Sequence, residues 1–174
     1  MDNRLALVMR SLEARVPLDQ REARSRVRAL AALAALPEPF DREADPTHVT
    51  GSAIVIGGQG VLLHRHRRLG VWLQPGGHID GDETPWAAAG REAQEETGLV
   101  VKFTDGEKGL AHVDVHDGGR GHTHLDLRYV FTVVGDETPR PPAGESQEVR
   151  WFDWEEAMGT ADEGLVAVLR SLRP

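Results

Sequence analysis

A glycine-rich loop that leads into a helix with clustered carboxylates constrains this chain more than any other segment. Thr84 and Pro85 are typical of a helix N-terminus. Gly98 is typical of the left-handed residue that follows the end of a helix. The spacing predicts a helix over residues 85–97, on which residues three and four apart share one face. The carboxylates on that shared face are Glu92, Glu95 and Glu96.

Carboxylates on one helix face repel each other, so the cluster is either a solvated acidic face or the ligand set of a hard divalent cation. Mg²⁺ binds oxygen ligands and keeps several waters, which fits a few glutamates beside a loop with accessible backbone groups. Arg91 precedes the cluster, and we expect it to reach back to Glu83 in a charge-assisted hydrogen bond.

The segment from Gly77 to Leu99 resembles the complete Nudix box. Ala93 and Leu99 match its apolar positions, although Ala93 is smaller than the usual residue. The resemblance implies an α/β fold in which a mixed β-sheet is sandwiched between helices, with the box as loop–helix–loop. The residues at the fixed positions of the pattern are Gly77, Glu83, Arg91, Glu92, Glu95, Glu96 and Gly98.

The resemblance also implies a metal site, occupied by Mg²⁺ or alternatively by Mn²⁺. Its metal ligands, which are also the catalytic carboxylates, correspond to Glu92, Glu95 and Glu96, together with the carbonyl of Gly76. Glu83 and Arg91 correspond to a structural pair.

A further carboxylate is needed to take a proton from the attacking water. In the family this general base lies either in the box or in a later loop. Glu145, in the loop before the last predicted strand, is our candidate there, and Glu148 is a second one.

The activity implied by the resemblance is hydrolysis of a diphosphate bond in a nucleoside diphosphate linked to another group. One alternative is a catalytically silent module that binds a nucleotide and regulates a partner. Another is an isomerase on the same fold, but that enzyme type uses a cysteine and this chain has none. Subfamily signatures are absent, so the sequence does not choose the diphosphate substrate.

Helical spacing over residues 4–15 and 18–35 predicts an N-terminal helical extension. We place this extension at residues 1–39 and the Nudix domain at residues 47–174. The extension is expected to pack against the domain or to hold a homodimer together.

Alternation of polar and apolar residues predicts a strand over residues 122–134, with His124, Asp126 and Arg128 on one face. A neighbouring strand at residues 110–116 has similar polar positions. If the two strands pair, the shared polar face either is wetted by solvent, binds the substrate, or holds a transition metal.

A short basic cluster at residues 65–68 follows the predicted strand 61–66. We expect either a solvated strand end or a partner for substrate phosphates, with Arg65 as the candidate ligand.

Residues 117–121 are predicted to form a flexible turn.

The composition excludes several classes of function. The net charge of -8 disfavours a polymeric nucleic acid as partner. The lack of cysteine excludes disulfides and thiolate chemistry. No apolar run is long enough to span a bilayer, and the N-terminus lacks the apolar core of a secretion signal, so we expect a cytoplasmic location.

Overall fold

The computed structural model describes residues 3–104 and 109–174. The described residues form both helices and strands, as expected for an α/β fold. The helices are α1 (Asn3–Ala14), α2 (Gln20–Ala35), α3 (Pro85–Thr97), α4 (Trp154–Thr160) and α5 (Glu163–Leu172). The strands are β1 (Thr47–Gly57), β2 (Gly60–Arg65), β3 (Trp72–Leu73), β4 (Gly76–His78), β5 (Val101–Phe103), β6 (Leu110–Gly119), β7 (His122–Val133) and β8 (Val149–Phe152).

The predicted box helix is present, and its ends follow local chemistry. The Thr84 side chain accepts a hydrogen bond from the Ala87 N–H, and Pro85 occupies the first turn. Gly98 has a φ of 70° and donates its N–H to the Gln94 carbonyl, which ends α3.

Within the described residues the strands form one mixed sheet whose central path is β3-β2-β1-β7-β5. β1 and β7 run parallel over most of their length, so residues far apart in sequence become direct neighbours. β4 pairs with β1, β6 with β7 and β8 with β2. β1 is therefore the strand that joins the box to the polar strand pair.

Helices cover the sheet on both faces, which confirms the predicted sandwich. α1, α2 and α3 contribute to one hydrophobic cluster with β1, β6 and β7. α4 and α5 form a second cluster with β2 and β8. The apolar stripes of both N-terminal helices are buried within the same chain, with Val8, Leu12 and Leu33 at 2% exposure or less.

The predicted turn at residues 117–121 is shorter than expected. β6 continues to Gly119, because Asp117 still pairs with Thr123 and Gly119 with His122 across a bulge. The chain reverses at Arg120 and Gly121, both with positive φ. Among the described residues, no helix has the length and apolarity required to cross a bilayer.

Candidate active site

The site begins where the backbone of β4 passes between β1 and α3. A Cβ atom on Gly76 would lie 2.3 Å from Ser52 Oγ, and one on Gly77 would lie 2.3 Å from Glu92 Oε1. Side chains at either position would collide with these atoms. The glycines therefore let the box backbone approach the carboxylates directly.

Arg91 organises the carboxylates of the box. Its Nη2 donates to Glu83 Oε1 at 2.7 Å and to the His78 carbonyl at 3.0 Å. Its Nη1 donates to Glu92 Oε1 and to Glu95 Oε2, each at 2.9 Å. The bond to Glu83 is the largest cause that raises the pKa of Arg91. The predicted contact of Arg91 with Glu83 is present, and the same guanidinium also orients two proposed metal ligands.

Unlike Glu83, Glu92 and Glu95, Glu96 does not accept a hydrogen bond from Arg91. Burial is the largest cause that raises the pKa of Glu96 to about 8, and repulsion from Glu92, Glu145 and Glu95 adds to it. The Gly76 N–H, 3.0 Å from Glu96 Oε2, acts in the opposite direction. The ionised form of Glu96 therefore needs more positive charge than the protein supplies.

The neighbouring groups do not balance this charge. His64 Nδ1 lies 3.7 Å from Glu96 Oε1, but burial lowers the pKa of His64 to about 4, so the two do not form an ion pair at neutral pH. Burial also raises the pKa of Glu92, although Arg91 opposes the shift. A partly buried carboxylate such as Glu96, which lacks a matching cation, suits a hard divalent metal ion.

Glu145 and Glu148, the two candidates for the general base in the later loop, lie in different environments. Glu145 is half-buried and close enough to Glu96 to raise its pKa. Glu148 lies on the exposed side, where its carboxylate accepts from Arg65 Nη1 at 3.1 Å. Arg65 also donates to the Gly70 carbonyl, and it does not line the cavity described below. Strand alternation directs its neighbour His64 to the cavity instead.

The predicted polar face of β6 and β7 is a buried ionic network. Arg128 Nε donates to Asp126 Oδ2 at 2.9 Å, and Ser52 Oγ donates to Asp126 Oδ1 at 2.7 Å. Arg128 also lies 3.7 Å from Asp114, which accepts from Arg21 Nε of α2 at 2.9 Å. The alternative of a solvent-wetted face is wrong for these three side chains, because Asp114, Asp126 and Arg128 are each at most 2% exposed.

Asp126 is held ionised inside this network. Burial alone would raise its pKa, but the charge of Arg128 and the hydrogen bonds from Arg128 and Ser52 lower it overall. Asp126 and Arg128 are both less than 3% exposed and bonded to each other. Their first role is thus to shape the cavity wall, and direct contact with a substrate stays a prediction.

Histidines gather at the other end of the same wall. His124 is the predicted candidate, and its ring centroid lies 5.2 Å from that of His48 and 5.5 Å from that of His78. His122 and His116 lie against the same group. Sequence reasoning missed His48 and His78, because only the pairing of β1 with β7 and β4 brings them to His124.

These walls enclose a cavity of about 1040 Å³. Glu92 and Glu96 line this cavity together with His78, His124, Asp126 and Arg128. Trp72 also lines it, while its ring packs edge-on against Phe152, so it serves both the core and the cavity. Additional cationic side chains at the cavity are Arg42, Arg68 and Arg120.

A model of the NUDIX domain matches residues 46–172, a range that contains the entire box and all residues that line the cavity apart from Arg21, Arg42 and Glu43. The chain belongs to the Nudix family. A Mycobacterium tuberculosis protein with the provisional name 8-oxo-dGTP diphosphatase 3 is 33% identical over 99 residues, which are 54% of this chain and 45% of that protein.

Another relative is named for a different activity. An isopentenyl-diphosphate Delta-isomerase of Streptomyces griseus is 30% identical over 108 residues, which are 58% of this chain and 54% of that protein. The chain thus spans about half the length of these curated relatives. A crystal structure of a Nudix-family hydrolase from Clostridium perfringens superimposes with a TM-score of 0.60 at 30% identity, covering 72% of this chain and 98% of that one.

Proposed function

We propose that this chain catalyses Mg²⁺-dependent hydrolysis of a diphosphate bond in a nucleoside diphosphate linked to another group. The observation that carries the proposal is the partly buried, mutually repelling pair Glu92 and Glu96 beside Gly76, at the wall of the cavity. The cavity volume matches that of small-molecule sites. No carboxylate of the box is replaced, which favours an enzyme over a silent regulatory module.

The residues present fit a divalent metal. Glu92, Glu95 and Glu96 supply hard oxygen ligands, and Gly76, whose carbonyl is the further proposed ligand, lies on β4 with its N–H bonded to Glu96. A bound Mg²⁺ supplies an acidified water and offsets charge on the phosphate oxygens, and Mn²⁺ supplies the same chemistry. Arg91 keeps the side chains of Glu92 and Glu95 in place.

Proton transfer from the attacking water falls to a carboxylate. The position of Glu145 supports its assignment as this carboxylate, since Glu145 is half-buried and interacts electrostatically with Glu96. Glu148 is bound to Arg65 and faces solvent, so we prefer Glu145 or a box glutamate.

We assign phosphate binding to an arginine that lines the cavity. Arg68 lines the cavity, whereas Arg65 of the same basic cluster does not. We therefore assign the phosphate contact to Arg68 rather than to Arg65. Arg128 shapes the wall behind it through Asp126.

Hydrolysis assays with Mg²⁺ test the proposal. The panel contains nucleoside triphosphates, oxidised nucleotides, nucleotide sugars, ADP-ribose and dinucleoside polyphosphates, with products separated by chromatography. We expect one class to be cleaved, and expect Glu96→Gln to lower kcat by more than the about 10–100-fold typical for losing a group that only supports a ligand.

Glu13→Gln is the matched control, because it makes the same chemical change at an exposed position on α1. Its kcat is expected to equal that of the unmodified protein. Nucleotide binding by calorimetry without hydrolysis of any panel member would contradict the enzyme proposal and favour the regulatory module.

A further inference from the structure

Three histidines from three strands converge at one point of the cavity wall. His48 lies on β1, His78 on β4 and His124 on β7. Each offers one ring nitrogen, and these nitrogens all lie within 4.8 Å of one another. The convergence is produced by the sheet, since His48 and His124 are register partners in the parallel β1–β7 pair.

His48 is held in the state that a metal ligand requires. Its Nδ1 lies 3.2 Å from the Asp45 carbonyl, which only accepts, so Nδ1 carries the proton. Nε2 is then the lone-pair nitrogen, and it is buried with no hydrogen-bond partner among the described residues. His48 is 0% exposed, so this unpartnered nitrogen is unfavourable in the protein alone.

We propose that His48, His78 and His124 form a binding site for a transition metal ion of the Zn²⁺ class. Imidazole nitrogen suits such ions, and a backbone carbonyl bound to the second ring nitrogen is the usual support for a ligating histidine. Tetrahedral zinc with bonds of about 2.0–2.1 Å places its ligand atoms about 3.4 Å apart. Side-chain rotation of the half-buried His78 and His124 closes the remaining gap.

Three protein ligands leave one tetrahedral position open. His78 and His124 line the cavity, so the open position accepts a water or an anionic oxygen of a cavity ligand. The donor set is nitrogen, whereas that of the box is carboxylate oxygen, so the two sites differ in metal preference. This inference does not depend on the proposed hydrolysis.

Arg42 competes with metal binding at this site. Its Nη1 donates to His78 Nδ1 at 3.3 Å, which occupies one ring nitrogen and places a positive charge beside the cluster. The Arg42 side chain is 53% exposed, so it is free to turn into solvent when the metal binds. Removal of this cation is expected to strengthen metal binding.

Titration of the full chain with Zn²⁺ by calorimetry, and with Co²⁺ followed by its visible absorption, tests the site. The titrations are made on the double variant Glu92→Gln/Glu96→Gln, in which the box carboxylates no longer bind a metal ion. In that background we expect one Zn²⁺ site and the absorption of four-coordinate Co²⁺. His48→Gln and His124→Gln should each weaken Zn²⁺ binding at least tenfold, and Arg42→Ala should tighten it.

His66→Gln is the control for histidine replacement outside the cluster and should leave the affinity unchanged. Thermal unfolding by circular dichroism checks that each variant is folded, and His124→Gln carries the test if the fully buried His48 does not tolerate replacement. Zn²⁺ affinity unchanged in His124→Gln, or no Zn²⁺ site in the carboxylate-free background, would overturn the proposal.

Discussion

Arg91 illustrates how one residue connects folding with the site. Its guanidinium donates hydrogen bonds to three carboxylates and a backbone carbonyl at the same time. The planar group with five donors is suited to this geometry, and a lysine ammonium is not. Arg91 is thus a positioning residue, which acts on the proposed chemistry through Glu92 and Glu95.

Arg91→Lys is expected to lower stability by about 1.5–3 kcal/mol, the range for hydrogen bonds to charged groups. It should also weaken Mg²⁺ binding by about 10–100-fold, because the ligands lose their support. Denaturant unfolding and Mg²⁺ titration measure the two effects.

Arg140→Lys is the control, since its pair with Asp136 is exposed and contributes little. Equal losses in the two variants would contradict the assigned role of Arg91.

At the level of elements, the contact of α3 with β1 determines where the carboxylates lie. A Cβ atom on Gly51 of β1 would be 2.2 Å from the Pro85 carbonyl oxygen, a backbone atom that cannot move alone. The first turn of α3 therefore rests directly on the strand. A larger residue would displace the entire helix from β4.

Gly51→Ala is expected to destabilise the protein by about 1–3 kcal/mol through overpacking and to lower activity. Gly159→Ala in α4 makes the same replacement where, apart from the adjacent residues and the nearby backbone of α4 itself, none of the described atoms lies within 4 Å of the new Cβ. It should raise stability by about 0.5–1 kcal/mol, because alanine favours the helical state. Melting curves of both variants measure these opposite signs, and a stabilised Gly51→Ala would refute the close contact.

The N-terminal helices are also tied to the sheet. Glu22 of α2 is fully buried and accepts from Arg15 Nε at 2.7 Å and from the Val113 N–H at 3.3 Å. Their apolar residues Val8, Leu12 and Leu33 are buried within the chain, and a homodimer held by these helices stays a prediction. The division into residues 1–39 and 47–174 stays a prediction, and residues 1 and 2 lie outside the described part of the chain.

For the whole molecule, the buried ionic network links the N-terminal helices to the cavity wall. Burial alone would raise the pKa of Asp114, but hydrogen bonds from His116 and Arg21 and the charge of Arg128 hold it well below its usual value. A depressed folded-state pKa stabilises the fold above the unfolded-state value of about 3.9. That stabilisation is lost as the pH falls below this value.

Asp114→Asn should therefore lower the free energy of unfolding by about 3–5 kcal/mol at pH 6, the range for removing one partner of a buried ion pair. The difference from the unmodified protein should begin to narrow below about pH 5, where Asp114 protonates in the unfolded chain, and should close only as the pH falls through the depressed pKa of Asp114 in the folded protein.

Asp82→Asn, at a fully exposed carboxylate, serves as the control. Urea unfolding at several pH values measures both, and a difference for Asp114→Asn that does not change with pH would contradict this account.

Local features were sufficient to predict α3, its caps and the contact of Arg91 with Glu83. Each depends on residues within one short segment, where helical spacing and side-chain chemistry act directly. The alternation in β7 likewise predicted which of its residues share a face. The full box was enough to indicate the family.

Only the tertiary structure decided what surrounds those residues. The parallel pairing of β1 with β7 brings His48 to His124, and the packing of α2 places Arg21 against Asp114. Both contacts join residues that are distant in sequence, so no local pattern contains them. Asp114, Asp126 and Arg128 form an ionic network because the assembled protein buries them. Burial depends on all the packed layers, so the sequence of one strand does not determine it.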